Sequence, residues 1–159
     1  MKEKEKSCCF TGHRNFPLDV DADELIKGLD KAIWQLREKG YDTFYVGGAQ
    51  GFDTLAAQRL IRIRDYCPSW KMEVILVMPC RDQTQSWSRA DRSRYERVHE
   101  HVDEVVCLQE RYTNGCMHRR NRYMVDHSSA CIAYCLRARG GTWYTVKYAR
   151  QKGLEIIML

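Results

Sequence analysis

Short apolar segments alternate with amphipathic segments along the whole chain. The apolar segments lie at 7–10, 43–46, 72–78, 104–108, 130–136 and 155–159. Several of them are nearly continuous, which is typical of strands buried on both faces of a parallel sheet. The segments between them, at 21–39, 52–66, 88–101, 117–127 and 142–152, carry the apolar spacing or the end signals of helices. This alternation predicts an α/β fold with a doubly wound and mostly parallel sheet and helices on both faces.

Composition is consistent with one globular unit. The chain has 159 residues, of which 44% are hydrophobic and 30% are charged, with only three prolines. We therefore expect a single domain over residues 1–159. No apolar stretch approaches the length of a membrane span, and the charged start at 1–6 lacks the apolar core of a secretory signal. A cytoplasmic protein without a membrane partner is expected.

The eight cysteines predict core positions and not a metal centre. They contain no Cys-x-x-Cys pair, and most of them fall within apolar segments. The best candidate ligands for a metal are Cys116, His118, Cys131 and Cys135. Because these lack the closely spaced pairs on turns that structural zinc sites use, we expect no metal.

The net charge of +5 does not form a continuous basic stripe. Arginines are frequent between residues 81 and 122, but acidic residues are interleaved with them. This pattern favours solvated helix faces with ion pairs over a nucleic-acid surface. Nucleic acid is therefore a secondary alternative for the binding partner of this protein.

Two glycine-rich turns each follow a predicted strand and precede a predicted helix. They are Gly47-Gly48-Ala49-Gln50-Gly51-Phe52-Asp53 and Gly140-Gly141-Thr142. Glycine lets backbone N–H groups approach a ligand closely, and a helix start adds unpaired donors and the positive end of a dipole. Ligands of doubly wound sheets bind beyond the carboxyl ends of the strands, where the strand order reverses. Both turns, together with Thr11-Gly12-His13-Arg14, are therefore predicted to converge around a phosphate.

The first turn matches neither the Walker pattern nor the dinucleotide fingerprint, so we expect neither P-loop ATP hydrolysis nor a separate cofactor. Its structural alternative is a tight connection in which Asp53 only caps the helix. Thr142 is expected to cap the last helix. Arg14 and Arg120 are expected to neutralise the phosphate, with surface ion pairs as their alternative. The complete set of expected ligand-binding residues is Gly12, Arg14, Gly47, Gly48, Gly51, Asp53, Arg120, Gly140, Gly141 and Thr142.

Aromatic and histidine side chains lie beside the same predicted edge. Trp87, Tyr112 and Trp143 are candidates to stack a base, and simple packing of the loops is the alternative. His13 and His118 titrate near neutrality, but neither has a carboxylate partner at a diagnostic spacing. Catalytic residues are therefore left unassigned.

These motifs together resemble the YpsA-like branch of the SLOG superfamily, nearly from end to end. The resemblance rests on residues 10–14, 47–57, 120–126, 140–142 and 148–149. The superfamily has a Rossmann-like fold and groups the LOG cytokinin-activating phosphoribohydrolases with the DNA-processing protein A family. The resemblance implies a nucleotide or an ADP-ribose-like ligand, in a sensing or ligand-processing role. It also implies a homodimer, for which helices 88–101 and 117–127 are the candidates.

Two relatives within the superfamily imply alternatives. Residues 117–124 are similar to the Met-His-Glu-Arg-Lys-x-x-Met helix of LOG enzymes, with Arg120 at their catalytic arginine. Their Pro-Gly-Gly-x-Gly-Thr-x-x-Glu motif corresponds to 140–145, but the proline is missing and Thr145 occupies the glutamate position. Cleavage of a nucleoside monophosphate therefore lacks its expected carboxylate and is an alternative function. The turn at 48–53 looks like the Gly-Leu-Ala-x-Gly-Ile-Asp motif of DNA-processing protein A, which implies single-stranded DNA binding as the other alternative.

Overall fold

A computed structural model describes residues 2–16 and 20–159, and these contain a six-stranded parallel sheet. The strands are β1 (Ser7–Gly12), β2 (Thr43–Val46), β3 (Glu73–Met78), β4 (Glu104–Cys107), β5 (Ala130–Tyr134) and β6 (Glu155–Met158). The helices are α1 (Ala22–Glu38), α2 (Phe52–Tyr66), α3 (Arg89–His101), α4 (Cys116–Asp126) and α5 (Gly140–Gln151), and a short 3-10 turn precedes β1. The predicted Rossmann-like architecture is confirmed.

Helices cover both faces of the sheet because the strands are apolar on both sides. Consecutive strand residues point to opposite faces. Phe44 and Val46 pack in a cluster with α1, α2 and α3, whereas Tyr45 between them packs in a cluster with α4 and α5. The strands therefore read as continuous apolar runs, and five of the eight cysteines are buried, as their sequence context predicts.

The strand order is β4-β3-β2-β1-β5-β6, and all five neighbouring pairs are parallel. The chain winds outward from β1 to β4 and then returns to place β5 on the other side of β1. The order of the strands therefore reverses between β1 and β5. The connections on the two sides diverge there and leave a crevice at the carboxyl ends of these strands.

The turn between β2 and α2 packs directly on the loop that follows β1. The backbone N–H of Phe52 donates a 3.0 Å hydrogen bond to the carbonyl of His13. Gly51 has φ of 75°, and a Cβ placed on it would lie 2.1 Å from the carbonyl oxygen of Arg14. A side chain at this position would therefore force the two loops apart.

Several element boundaries differ from the sequence expectations. β1 continues to Gly12, two residues beyond the expected strand, because Thr11 and Gly12 pair with β5. α5 begins at Gly140 with Arg139 as its N-cap, so Thr142 lies inside the first turn and is not the cap. α2 begins as predicted, but its N-cap is Gly51, and Asp53 makes no capping hydrogen bond. The expected cap at Thr142 was therefore wrong, and so was the alternative in which Asp53 only caps α2.

Within the described ranges, no helix combines the length and the apolar character needed to cross a bilayer.

Replacing Gly51 with alanine is expected to be much more destabilising than replacing Gly140. Both residues have positive φ, at 75° and 88° respectively, which costs an alanine about 1–2 kcal/mol. Only at Gly51 does the new Cβ also meet backbone, since no described atom lies within 4 Å of a Cβ at Gly140. Urea denaturation should therefore show a loss of unfolding free energy of about 3 kcal/mol or more for Gly51→Ala. Equal losses in the two variants would contradict the packing of these loops.

Candidate functional site

A cavity of about 350 Å³ lies at the carboxyl edge of the sheet, in the crevice between β1 and β5. Its walls come from the end of β1 and the following loop, the start of α2, the start of α4, and the loop that leads into α5. Seven of the ten residues expected at the site line it, namely Gly12, Arg14, Asp53, Arg120, Gly140, Gly141 and Thr142. The predicted convergence of the three segments is therefore present.

The other three expected residues, Gly47, Gly48 and Gly51, are not among the lining residues. They allow close packing of the turn that they form. A Cβ on Gly47 would lie 2.7 Å from Cζ of Arg120, and one on Gly48 would lie 2.7 Å from Cδ1 of Leu76. These glycines therefore do not face the cavity, and they let neighbouring groups pack closely against the turn that supports its wall.

Arg120 and Asp53 are buried charged side chains in the wall of the cavity. They are only 2% and 6% exposed, respectively. The Nη1 group of Arg120 donates to the carbonyl of Gly47 and to that of Val77 at 3.4 Å, and its Nε donates to Oδ1 of Asn121 at 2.8 Å. The Oδ2 atom of Asp53 accepts from the backbone N–H of Ala49 at 3.4 Å. Hydrogen bonds thus hold both charges in place.

Burial dominates the titration of this pair. Desolvation raises the pKa of Asp53 to about 6, against the opposing effects of Arg120, the Ala49 N–H and Arg14. Burial also lowers the pKa of Arg120, while the carboxylate of Asp53 raises it. Because a guanidinium stays protonated, the pair is close to neutral at pH 7.

Three exposed arginines give the cavity its net charge. Arg14, Arg137 and Arg139 line it, and none forms an ion pair with any carboxylate in the described part of the chain. Among the described residues that line it, Asp53 is the one carboxylate, and Arg120 offsets it. The cavity therefore presents an excess of positive charge to solvent.

Sequence reasoning missed Arg137 and Arg139. Both lie in the loop between β5 and the glycines that begin α5. Two basic residues directly before a glycine turn are the signal that could have indicated them.

The N-terminus of α5 opens into the same cavity. The side chain of its N-cap residue, Arg139, makes no capping hydrogen bond, and Gly140, Gly141 and Thr142 form its first turn. The first N–H groups of a helix have no partner inside the helix, and they lie at the positive end of its dipole. The hydroxyl of Thr145 fixes this turn by donating to the carbonyl of Gly141 at 3.0 Å, and Asn121 donates to the same hydroxyl at 3.2 Å. The position of the LOG glutamate therefore holds a buried threonine with a structural hydrogen bond.

His13 connects the loops after β1 and β5. Its Nε2 accepts a hydrogen bond from the backbone N–H of Leu136 at 2.8 Å, and the ring packs edge-on against Tyr134. Burial lowers the pKa of His13, and the nearby charge of Arg137 lowers it further. The imidazole is thus neutral at pH 7, and its Nε2 is already used in the hydrogen bond from the Leu136 backbone. His118 lines the cavity with its ring edge-on to Tyr144.

The three candidate aromatic residues separate into two groups. Trp87 and Tyr112 line a second cavity that adjoins the first. Trp143 packs among the apolar side chains under α4 and α5, with the guanidinium of Arg150 over its ring. Trp143 lines neither cavity, so the alternative of simple packing applies to it.

Fold and crevice together define a Rossmann-like α/β protein of the doubly wound class. The family model of YpsA, described as the YspA SLOG family, matches residues 8–155, and the chain belongs to this family.

Relatives in sequence and in structure agree with this assignment. The SPbeta prophage-derived protein YoqJ of Bacillus subtilis (strain 168) is 27% identical over 141 residues, covering 81% of this chain and 80% of the relative. A UPF0398 protein of Bacillus cereus (strain G9842) is 24% identical over 157 residues, covering 93% of this chain and 84% of the relative.

Among solved structures, DNA processing protein A from Helicobacter pylori matches with a TM-score of 0.67 at 14% identity. The match covers 98% of this chain and 65% of that one, so the present chain spans less than two thirds of its length. That structure describes a single-stranded DNA binding mode of the Helicobacter protein. At this identity the likeness establishes a shared fold.

The titration of Asp53 predicts a specific pH dependence of stability. Because its pKa is about 6 in the folded chain and about 4 in an unfolded one, the folded state binds the proton more tightly. The unfolding free energy of the wild type, measured relative to Asp53→Asn, should therefore fall as the pH rises from about 4 to 6. Urea denaturation of both proteins at several pH values tests this, and other carboxylates cancel in the difference. A difference that is flat or rises with pH would contradict the desolvation of Asp53.

Proposed function

We propose that this protein binds a nucleotide, or a nucleotide-derived ligand of the ADP-ribose type, as a ligand-sensing or ligand-processing domain. The observation that carries the proposal is the set of charges on Arg14, Arg137 and Arg139, which have no ion-pair partner among the described residues and are gathered around a glycine-rich helix N-terminus at the sheet edge. Three guanidinium charges exceed the charge of about −1.5 to −2 on one phosphate group. A ligand with two linked phosphates therefore fits this cavity better than a monophosphate.

In this proposal the first N–H groups of α5, at Gly140, Gly141 and Thr142, donate to the phosphate oxygens. Arg14 and Arg139 approach the same oxygens from solvent, where a planar guanidinium binds them in a bidentate manner. This arrangement needs no resident metal or separate cofactor, and we propose that the chain acts as a single binding domain.

In this proposal, the buried members of the expected set hold the turn after β2 in place and so support the shape of the site. Arg120 keeps the turn after β2 against the sheet, and Asp53 balances its charge. Gly12 allows the same turn to approach β1, since a Cβ on it would lie 2.3 Å from the ring of Phe52. The glycines at 47, 48 and 51 act in the same way.

Single-stranded DNA binding is the second candidate, since the Helicobacter protein of the same fold is described with that ligand. The three exposed arginines suit a phosphodiester backbone as well. A small ligand is favoured because the arginines between residues 81 and 122 are interleaved with acidic residues and do not form the continuous basic path that a strand follows.

We also propose a homodimer that pairs through α3 and α4. The buried residues of α3 are Tyr95 and Val98, so the rest of this helix is available to a partner. Size-exclusion chromatography with light scattering would test the pairing.

Loss of a single cavity arginine is expected to weaken binding of ADP strongly. Hydrogen bonds to charged groups contribute about 1.5–3 kcal/mol, so Arg14→Ala and Arg139→Ala should each raise the dissociation constant by about 10- to 150-fold. Isothermal titration calorimetry measures this constant. Arg62→Ala is the matched control, because it removes the same charge from an exposed position on α2 that lines neither cavity.

An equal effect of all three substitutions would reduce the binding to general electrostatics and contradict a specific site. Adding a single-stranded oligonucleotide as competitor separates the two candidate ligands. The account predicts that ADP binds with the oligonucleotide present. Displacement of ADP by the oligonucleotide at equal phosphate concentration would favour the DNA-binding alternative.

No release of base is expected when the protein is incubated with AMP or CMP. Thr145 occupies the glutamate position of LOG enzymes and is hydrogen-bonded within the wall, so the carboxylate expected to assist cleavage of the glycosidic bond is missing there. Chromatography of the reaction mixture measures free adenine and cytosine. Turnover above the uncatalysed rate that is lost in Arg14→Ala would establish the phosphoribohydrolase alternative instead.

A further inference from the structure

A second cavity of about 430 Å³ continues from the first along the carboxyl edge of the sheet. Arg14, Ala49 and Met117 line both cavities. The far wall of the second cavity comes from the loop after β3 and the loop after β4. The two spaces are therefore neighbouring parts of one cleft, with Arg14 at their junction.

Two aromatic side chains stand at the far end of this cleft. Tyr112 is 58% exposed, although its backbone N–H is fixed by a 3.0 Å hydrogen bond to Oδ1 of Asp82. Trp87 is half-buried and is held edge-on against Tyr95, with ring centroids 5.6 Å apart. An exposed aromatic ring on a fixed backbone offers a π-face on which a nucleobase can stack.

Gln83 adds a polar group to the same wall. Its side chain is 9% exposed, and its Nε2 donates to the carbonyl of Gly48 at 3.3 Å. This bond fixes the orientation of the amide, because a carbonyl accepts only from the nitrogen. The amide oxygen Oε1 is then left buried without a hydrogen-bond partner among the residues that the structure describes.

A buried acceptor without a partner is costly, and a ligand that brings a donor removes the cost. Oε1 is buried, so in the proposed contact a small shift of the wall exposes it to the ligand. The second acceptor nearby is the carboxylate of Asp82, which also lines the cavity. Two acceptors in one wall favour a base that carries an exocyclic amino group over one that carries a carbonyl in its place.

We propose that the second cavity binds the base of the ligand whose phosphates occupy the first, and that its wall selects a base with an exocyclic amino group. The proposal rests on the proposed nucleotide-binding function. In it, Tyr112 and Trp87 flank the base, the amide oxygen of Gln83 accepts from the amino group, and Arg14 lies beside the segment that links base and phosphates.

Calorimetric titration of the wild type with ADP, IDP and inorganic pyrophosphate tests this assignment. IDP replaces the amino group of adenine by a carbonyl, and pyrophosphate has no base. We expect the affinity to decrease in the order ADP, IDP, pyrophosphate. Because stacking on one aromatic ring is worth a factor of about 5 to 150, Tyr112→Ala should weaken ADP binding by that factor and leave pyrophosphate binding unchanged.

Two further variants complete the design. Gln83→Leu removes the acceptor at similar volume and should abolish the preference for ADP over IDP. Tyr66→Ala is the matched control, because Tyr66 is an exposed tyrosine at the end of α2 that lines neither cavity.

The possible failures are distinguishable. If ADP binds no more tightly than pyrophosphate, or if Tyr112→Ala weakens both equally, the base site is refuted while the phosphate site stands. If IDP binds as tightly as ADP, the amino-group selectivity is refuted. If neither ADP nor pyrophosphate binds, the proposed function fails and the base site with it.

Discussion

The hydrogen bonds of Arg120 are the interaction on which the site depends. This arginine comes from α4 on one face of the sheet, and its guanidinium bonds to the carbonyls of Gly47 and Val77, which lie at the carboxyl ends of β2 and β3. Asp53 comes from α2, which packs with the other cluster. A Cβ on Gly47 would touch both side chains, so the glycine lets two buried charges approach from opposite faces. The burial of this pair fixes where the turn lies, and therefore where the cavity opens.

The same pair determines the electrostatics of the cavity. The charges of Asp53 and Arg120 nearly cancel. The net charge that a ligand meets therefore comes from Arg14, Arg137 and Arg139. These three lie on the loops after β1 and β5, the two strands between which the strand order reverses. The topology thus brings separate basic residues together, and no single segment of the sequence contains the complete site. His13 strengthens this arrangement by bonding one loop to the backbone of the other.

Much of the fold could be predicted because hydrophobic burial on both sides of a parallel sheet leaves a strong periodic signal. The site could be predicted only in part. A glycine-rich turn allows a ligand to approach the backbone, and it equally allows a buried side chain to approach it. The sequence alone therefore could not distinguish these two roles for Gly47 and Gly48. The start of α5 was misplaced because Gly140 and Gly141 carry no side chains that reveal helical periodicity. Arg137 and Arg139 lie in an irregular loop, where a basic residue is as compatible with a surface ion pair as with a ligand.

The most direct test of the account is a titration of the isotope-labelled protein with ADP, followed by amide chemical shifts. The account predicts that the largest shifts belong to Gly140, Gly141 and Thr142 and to the loop after β1, because their N–H groups surround the proposed phosphate position. Small shifts are expected at the amino ends of the strands, on the opposite edge of the sheet. Shifts concentrated at that opposite edge, or no saturable shifts at all, would contradict the central claim that this crevice binds an anionic ligand.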